Sequence, residues 1–285
     1  MTLQRAPDGG CYLHVWRADE LYDAQQISLV FREWNNVKFA RLPYPDSSTV
    51  RVSDLRKPLP FDAEVFDAVY VNHVFEHLTP SEAEGLAAEL HRVLKAGAIA
   101  RLVVPDLESA ARNYLHCLEE YLSDPSPENV TRYRWAVLEL IDQMVRDKTG
   151  GLMLEALKSE DFDAEHLRER YGDALRPVDP SPRPQGRLAR AASLGPMELA
   201  YAVVRAARRA VIRGDPRKTG EANRWMHDRV SLRLLLEGRG FIGYSVKNYT
   251  QSDIPGWERY DLDRSSAGDY PREPSVYVEA RKPGS

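Results

Sequence analysis

Residues 54–108 read DLRKPLPFDAEVFDAVYVNHVFEHLTPSEAEGLAAELHRVLKAGAIARLVVPDLE, and the order of local signals in this stretch decides the fold. Phe66–Val71 (FDAVYV) is a nearly continuous β-branched and aromatic run, the pattern of a strand covered on both faces. Thr79-Pro80-Ser81-Glu82 then opens a helix. Thr79 is a good N-cap, Pro80 suits the first helical position, and Glu82 completes a capping box. Leu86, Leu90, Val93 and Leu94 form one apolar stripe, and Gly97 is expected to end the helix. Ile99–Val104 is a second buried strand. A strand, helix and strand in so short a span make a crossover unit, so the sheet is parallel here.

Working outward, Tyr12–Arg17, Asn36–Arg41 and Thr49–Ser53 are further strand candidates, with a loosely helical Asp19–Trp34 after the first. Downstream, residues 107–157 read as helical, with Leu138, Ile141, Met144 and Val145 on one face. Residues 176–196 are rich in Pro, Arg, Ala and Gly, as in a flexible connector, and Met197–Arg213 is helical again. Ser231 is a plausible N-cap for a helix stopped by Gly238 and Gly240. Phe241–Tyr249 and Ser275–Arg281 alternate apolar and polar residues, like an antiparallel pair at a sheet edge. The expected architecture is one α/β domain spanning 1–285. Its core is 10–108 plus 229–282, and 109–228 form a helical insertion or lid.

Composition narrows the function classes. The chain has 285 residues, is 43% hydrophobic and carries a net charge of −4, so it is no general nucleic-acid binder. Two cysteines, Cys11 and Cys117, cannot build a disulfide framework. The first residues lack the apolar core of a signal peptide, and no apolar run approaches the roughly 18 residues of a spanning helix, so a cytoplasmic protein is expected.

Three segments carry a resemblance. They are residues 54–108, residues 133–153 (YRWAVLELIDQMVRDKTGGLM), and residues 219–241 (TGEANRWMHDRVSLRLLLEGRGF), which the tail IPGWERYDLD, 254–263, continues. In this order they resemble class I S-adenosylmethionine-dependent methyltransferases of the type found in bacterial glycan and natural-product biosynthesis clusters. The resemblance implies a Rossmann-like, mostly parallel sheet with an antiparallel edge. It also implies S-adenosylmethionine as methyl donor and a small-molecule or sugar-like acceptor. By the same resemblance, Asp54 and Leu55 after the third strand lie where such proteins contact adenine, and Asn72 lies beside the reaction centre.

The chain departs from that pattern at the donor loop. The fold normally has a glycine-rich turn after the first strand, so that backbone and donor approach closely. Here Val15-Trp16-Arg17-Ala18-Asp19-Glu20 contains no glycine. Lys38 stands where an acid would accept the ribose hydroxyls, and a lysine has no acceptor atom. Two of the three usual donor contacts are therefore absent.

Chemistry points to the end of the fourth strand. His73 and His77 flank Glu76 in NHVFEH, at the carboxyl end of a central strand, where open α/β sheets bind ligands. An imidazole can take a hydroxyl proton near neutral pH, and Glu76 can orient it; alternatively, His77 and Glu76 serve the turn. Asp106 either binds acceptor hydroxyls or N-caps the helix that follows it. His227 and Asp228 either close over the acceptor or form a structural pair with Arg229 or a neighbour. The histidines lack metal-ligand spacing beyond His73 and His77, and no metal is expected. Arg205, Arg208, Arg209 and Arg213 lie on one side of a helix. Such a stripe is usually a solvated face, but it can rest on an anionic membrane or grip a diphosphate.

Three functions remain open: a methyltransferase with an atypical donor site, a methyltransferase-like protein without donor binding that partners an enzyme, or a repurposed enzyme binding an anion near Lys38.

Overall fold

The structure is a computed structural model that describes residues 6, 8–17, 35–39, 50–146, 150–159, 162–171, 222–260, 262–265, 268–271 and 274–284. The expected helix at Asp19–Trp34, the connector at 176–196 and the basic helix at Met197–Arg213 lie outside these residues. Seven strands form one sheet: β1 (Tyr12–Arg17), β2 (Asn35–Phe39), β3 (Val50–Ser53), β4 (Phe66–Asn72), β5 (Leu94–Pro105), β6 (Ile242–Lys247) and β9 (Ser275–Arg281). Their order is β3-β2-β1-β4-β5-β9-β6. The β1–β2, β2–β3, β1–β4 and β4–β5 pairs are parallel, whereas β9 runs antiparallel to both its neighbours. Two short strands, β7 (Arg264–Ser265) and β8 (Gly268–Pro271), make a separate pair. This is the Rossmann-like, methyltransferase-type sheet. The antiparallel pair expected downstream is present, with β6 at the edge and β9 inserted beside β5.

One face of the sheet packs Leu13, Val15, Val71, Leu102 and Val278 against helix α1 (Pro80–Val93) and helix α6 (Arg229–Glu237). Leu86 and Leu90 of α1 and Leu232 and Leu236 of α6 are fully buried there. Each such leucine contributes about 1.5–3 kcal/mol of burial. The other face is covered by an irregular segment, in which Ile254, Trp257, Tyr260 and Leu262 lie on Tyr12, Tyr70 and Tyr277. The alternation of side chains along each strand feeds both clusters. Among the described residues no helix is long and apolar enough to cross a membrane.

The α1 capping box is formed. Thr79 N–H donates to Glu82 Oε2 at 2.8 Å and Glu82 N–H to Thr79 Oγ1 at 3.4 Å. Gly97 does not end this helix. The helix stops at Val93, and Leu94 is already extended and paired with Phe66. Gly97 instead lies within β5 at φ +76°, in a register shift, where its N–H reaches Lys282 O at 3.0 Å. The α6 cap also differs from expectation: it is Asp228, which accepts from Val230 and Ser231 N–H, while Ser231 Oγ accepts from Asp228 N–H.

Residues 107–159 form three helices rather than a continuous one: α2 (Leu107–Ser123), α3 (Pro127–Val145) and α4 (Gly151–Ser159), followed by α5 (Ala164–Tyr171). Ser126 and Pro127 restart the chain after Asp124. The buried face of α3 is not the one that carries Leu138, Ile141, Met144 and Val145. Trp135, Ala136, Glu139 and Asp142 are inside, whereas Ile141 and Val145 are 46% and 56% exposed.

Asp142 explains the paired glycines that follow α3. Its buried carboxylate accepts Leu152 N–H at 2.7 Å and Arg146 Nη2 at 3.2 Å. Gly151 has φ +56°, and a Cβ there would overlap the Asp142 carboxylate. Gly151→Ala therefore adds left-handed strain and displaces a charged acceptor, an expected loss of about 2–4 kcal/mol. Chemical denaturation reads this directly, and a loss under about 0.5 kcal/mol, the size of an ordinary surface change, would refute the contact.

Candidate functional site

Strand order reverses between β1 and β4, so the connections leave their carboxyl ends in opposite directions and open a crevice there. Asn72, paired with Trp16, ends β4 at that crevice, and His73 follows it. His73 has φ +51°, a left-handed conformation uncommon for a residue with a side chain. Its N–H donates to Val103 O at 2.9 Å, which holds the turn against β5. Such locally strained backbone concentrates at functional sites.

Glu76, on the 3₁₀ turn Phe75–His77, is the hub. Its Oε1 lies 3.3 Å from His73 Nδ1 and 3.6 Å from His77 Nε2. Burial pushes the Glu76 carboxyl up, but the His77 and His73 rings overturn this and hold it below the ordinary glutamate value. Glu76 Oε2 is buried with no hydrogen-bond partner among the described residues.

The two flanking histidines differ in access. His77 is buried, with Nδ1 toward Ala222 O at 3.5 Å and Nε2 toward Glu76. The His73 side chain is 23% exposed, and its Nε2 lies 3.4 Å from Ser275 Oγ. With Nδ1–H directed at Glu76, Nε2 is left as the proton-accepting nitrogen.

The returning chain, 222–228, is pinned over this turn. Glu76 O accepts both Arg224 N–H at 2.7 Å and Trp225 N–H at 3.1 Å, and Arg224 Nη1 reaches Glu82 at 2.9 Å. His227 is buried edge-on to Phe75, with its O accepting Leu107 N–H at 2.9 Å. Desolvation holds its imidazole below the ordinary histidine value, against the pull of the Glu76 charge. His227 Nε2 has no hydrogen-bond partner among the described residues. His227, from a distant part of the chain, thus joins Glu76 and His77 in one buried corner, with the half-buried His73 at its edge.

Asp106 and Asp228 are caps. Asp106 Oδ1 accepts Glu108 N–H at 3.0 Å, starting α2, and burial raises its carboxyl above the ordinary value. The backbone N–H of Ser231 holds the Asp228 carboxyl below its ordinary value. Arg229 pairs with Glu108 at 2.8 Å, across to the start of α2.

After β3, Asp54 is clasped by Arg56, with Nε and Nη2 donating at 2.7 Å to its two oxygens. That contact keeps its carboxyl below the ordinary value. Leu55 is buried in the core. The backbone of Lys38 lies in β2, between Trp16 and Val52. Arg205, Arg208, Arg209 and Arg213 are outside the described residues.

A shallow hollow with room for about one water lies over the carboxyl end of β5, lined among the described residues by Asp106, Glu139, Gln143, Tyr171, Asn223 and Met226. Pro274 also borders it, while the next residue, Ser275, borders a smaller hollow beside Asn72 and His73. Glu139, Gln143 and Asn223 were not expected from the sequence. The only signal was their place in segments 133–153 and 219–241, since their partners lie far along the chain. Glu139 accepts from Asn113 Nδ2 at 2.9 Å and is clasped by Arg170. Asn223 N–H donates to Gln143 O at 2.9 Å, and Asn223 Nδ2 donates to Gln143 Oε1 at 3.0 Å.

Residues 21–102 match the family model for a methyltransferase domain. No curated protein matches the chain. Among solved structures, a SAM-dependent methyltransferase of Methanosarcina mazei is 13% identical, with 99% of this chain and 100% of that chain covered and a TM-score of 0.39. A SAM-dependent methyltransferase of Thermotoga maritima is 11% identical over 96% of this chain and 82% of its own, with a TM-score of 0.36. A protein of Bordetella parapertussis described as a possible exported protein is 13% identical over 99% of this chain, at a TM-score of 0.36, and the chain spans 63% of its length.

Proposed function

We propose that the protein is a methyltransferase that uses S-adenosylmethionine to methylate a hydroxyl of a small, sugar-like acceptor. The carrying observation is the accessible His73 imidazole, tied through Nδ1 to buried Glu76 at 3.3 Å, at the switch point of the sheet. The methyltransferase-domain match over 21–102 supports the same reading.

The donor fits the chain unevenly. Asp54 is ionised and at the end of β3, and Asn72 is half-buried at the end of β4, both in keeping with the adenine and methyl ends of the ligand. The stretch Val15–Glu20 brings no glycine, and Lys38 brings no acceptor for the ribose. S-adenosylmethionine, when bound, supplies an electrophilic methyl group. The chain's own part is to place the acceptor and to remove its proton. His73 Nε2 takes the hydroxyl proton, and Glu76 fixes the ring's tautomer and steadies the imidazolium that results. His77 and His227 enclose Glu76 and keep water from it. Residues 109–228 act in this reading as the cover of the acceptor side within a single domain.

Calorimetry with S-adenosylhomocysteine tests the donor. Heat of binding with millimolar or tighter affinity is expected. No heat at millimolar ligand would overturn the reading and leave a non-catalytic or repurposed protein on this fold.

A further inference from the structure

The edge of the sheet carries an apolar face that none of the roles above uses. Helix α6 buries Leu232 and Leu236 against the core, yet its opposite side carries Val230 and Leu234, which are 58% and 68% exposed. The two lie one turn apart and form a single ridge. Strand β6 continues it. Tyr244 OH donates to Arg229 O at 2.6 Å, so the strand lies against the start of the helix. Val246, paired with Val278 on the same side of the sheet, is half exposed. Single apolar residues are common on surfaces, but a joined group of them marks a contact.

The shape of the edge favours contact through the helix rather than through an added strand. β6 is the last strand of the described sheet, but a register shift at Ile242–Ser245, with Gly243 at φ +62°, bends it. Lys247 ends the strand, tied to Asp253 at 2.8 Å. A bulge and an edge lysine both oppose strand addition.

Charge then identifies the occupant. A helix is favoured by acids in its first turn and bases in its last. Beyond the Asp228 cap, α6 has neither: Arg229 and Arg233 stand toward its start, and Glu237 ends it. The exposed Arg233–Glu237 pair, 2.9 Å apart, also has the less favourable order of the two possible. A second, antiparallel α6 reverses both defects. Each Glu237 comes to the arginine-bearing end of the other copy, and each Val230 lies beside the other copy's Leu234. A parallel pairing would set like charges together.

We propose that the α6 face is the centre of a two-fold homodimer, in which α6 packs antiparallel on α6 of a second copy with β6 at the rim. A specific interface covers roughly 800 Å² per partner, so the ridge forms its apolar centre and the surrounding charges its polar edge. This contact is independent of the methyl-transfer reading.

Sedimentation velocity on the full chain, from roughly 1 to 100 µM, tests it. A dimer of micromolar or tighter affinity is expected. Leu234→Glu buries a carboxylate at the centre of the contact and is expected to weaken the dimer about a hundredfold. Leu234 is exposed, so the resulting monomer keeps its fold, which circular dichroism checks. Glu237→Arg sets like charges opposite each other and is expected to weaken the dimer about tenfold. Monomer alone at the highest concentration would assign the face to a different partner and overturn the proposal. So would a dimer that survives Leu234→Glu, or one that Glu237→Arg leaves unmoved. No donor or acceptor is needed, so the calorimetric test of the donor stands or falls separately.

Discussion

Replacing Arg101 with methionine is expected to cost about 3–5 kcal/mol, because it leaves two carboxylates buried without their cation. Arg101 sits in β5 on the face away from α1, and its side chain is inaccessible, as are those of Asp263 and Glu279 to within 2%. All five guanidinium donors are used. Nε goes to Asp263 at 2.8 Å, and Nη2 goes to Asp263 at 2.6 Å and Asn248 O at 2.9 Å. Nη1 goes to Glu279 and Gln251 O, both at 2.8 Å. The guanidinium carbon also lies 4.8 Å from the centre of the Trp257 ring and 5.5 Å from that of Tyr277. One side chain therefore fastens the irregular segment that covers half the sheet. In a chain of this size the loss corresponds to a fall in Tm of roughly 10 °C, read by scanning calorimetry. A fall under about 2 °C would refute the role.

The same variant has a signed pH dependence. Burial already raises the Asp263 carboxyl above its ordinary value in the intact protein, although Arg101 opposes the shift. Without Arg101 the folded state binds a proton there more tightly than the unfolded chain. Stability then falls as pH rises through the interval between the unfolded and folded values. Acidifying the variant from neutrality toward the ordinary carboxylate range should therefore recover part of the loss. A variant whose deficit is flat across that range would show that the buried charge is not its cause.

His73→Asn is expected to lower kcat by about 10²–10⁴, the usual contribution of a positioned base. Asparagine is chosen because it tolerates the left-handed backbone that His73 adopts at φ +51°. The fold and the affinity for S-adenosylhomocysteine should survive, so the loss appears in kcat rather than in donor binding. Glu76→Gln should fall in the same direction by less, since the amide oxygen still accepts from His73 Nδ1 but no longer balances an imidazolium. Turnover of the acceptor that is unchanged in His73→Asn would remove the histidine from the reaction.

Much of the fold was legible in local signals. The capping box at Thr79 and Glu82 closes within four residues, and the β4–α1–β5 crossover follows from strand and helix patterns a few residues apart. The motif NHVFEH likewise carried the pairing of His73 with Glu76, because a single turn brings residues three apart together. Signals of the same local kind misled where a distant partner decided the outcome. Gly97 looked like a helix stop, yet Phe66 draws Leu94 into the sheet three residues earlier. Ser231 looked like a cap, but Asp228 takes that place with Ser231 as its partner.

The inner face of α3 shows the limit most clearly. Its apolar residues Leu138, Ile141, Met144 and Val145 share one face, but Glu139 and Asp142 are inside because their partners are elsewhere. Arg170 arrives from α5, and Leu152 N–H from beyond a two-glycine turn. A buried acid is stable only with such partners, and residue type alone does not announce them.

By itself, then, the sequence determined the crossover at 54–108, the caps of α1, and the carboxylate and histidines at the end of β4, since each rests on contacts between near neighbours. Only the tertiary structure decided that His227 joins Glu76, that Gln143 and Asn223 lock together beside one hollow, and that Arg101 holds the covering segment. Those contacts join residues about 80 to 180 positions apart, and their energies depend on burial that exists only once the sheet is assembled.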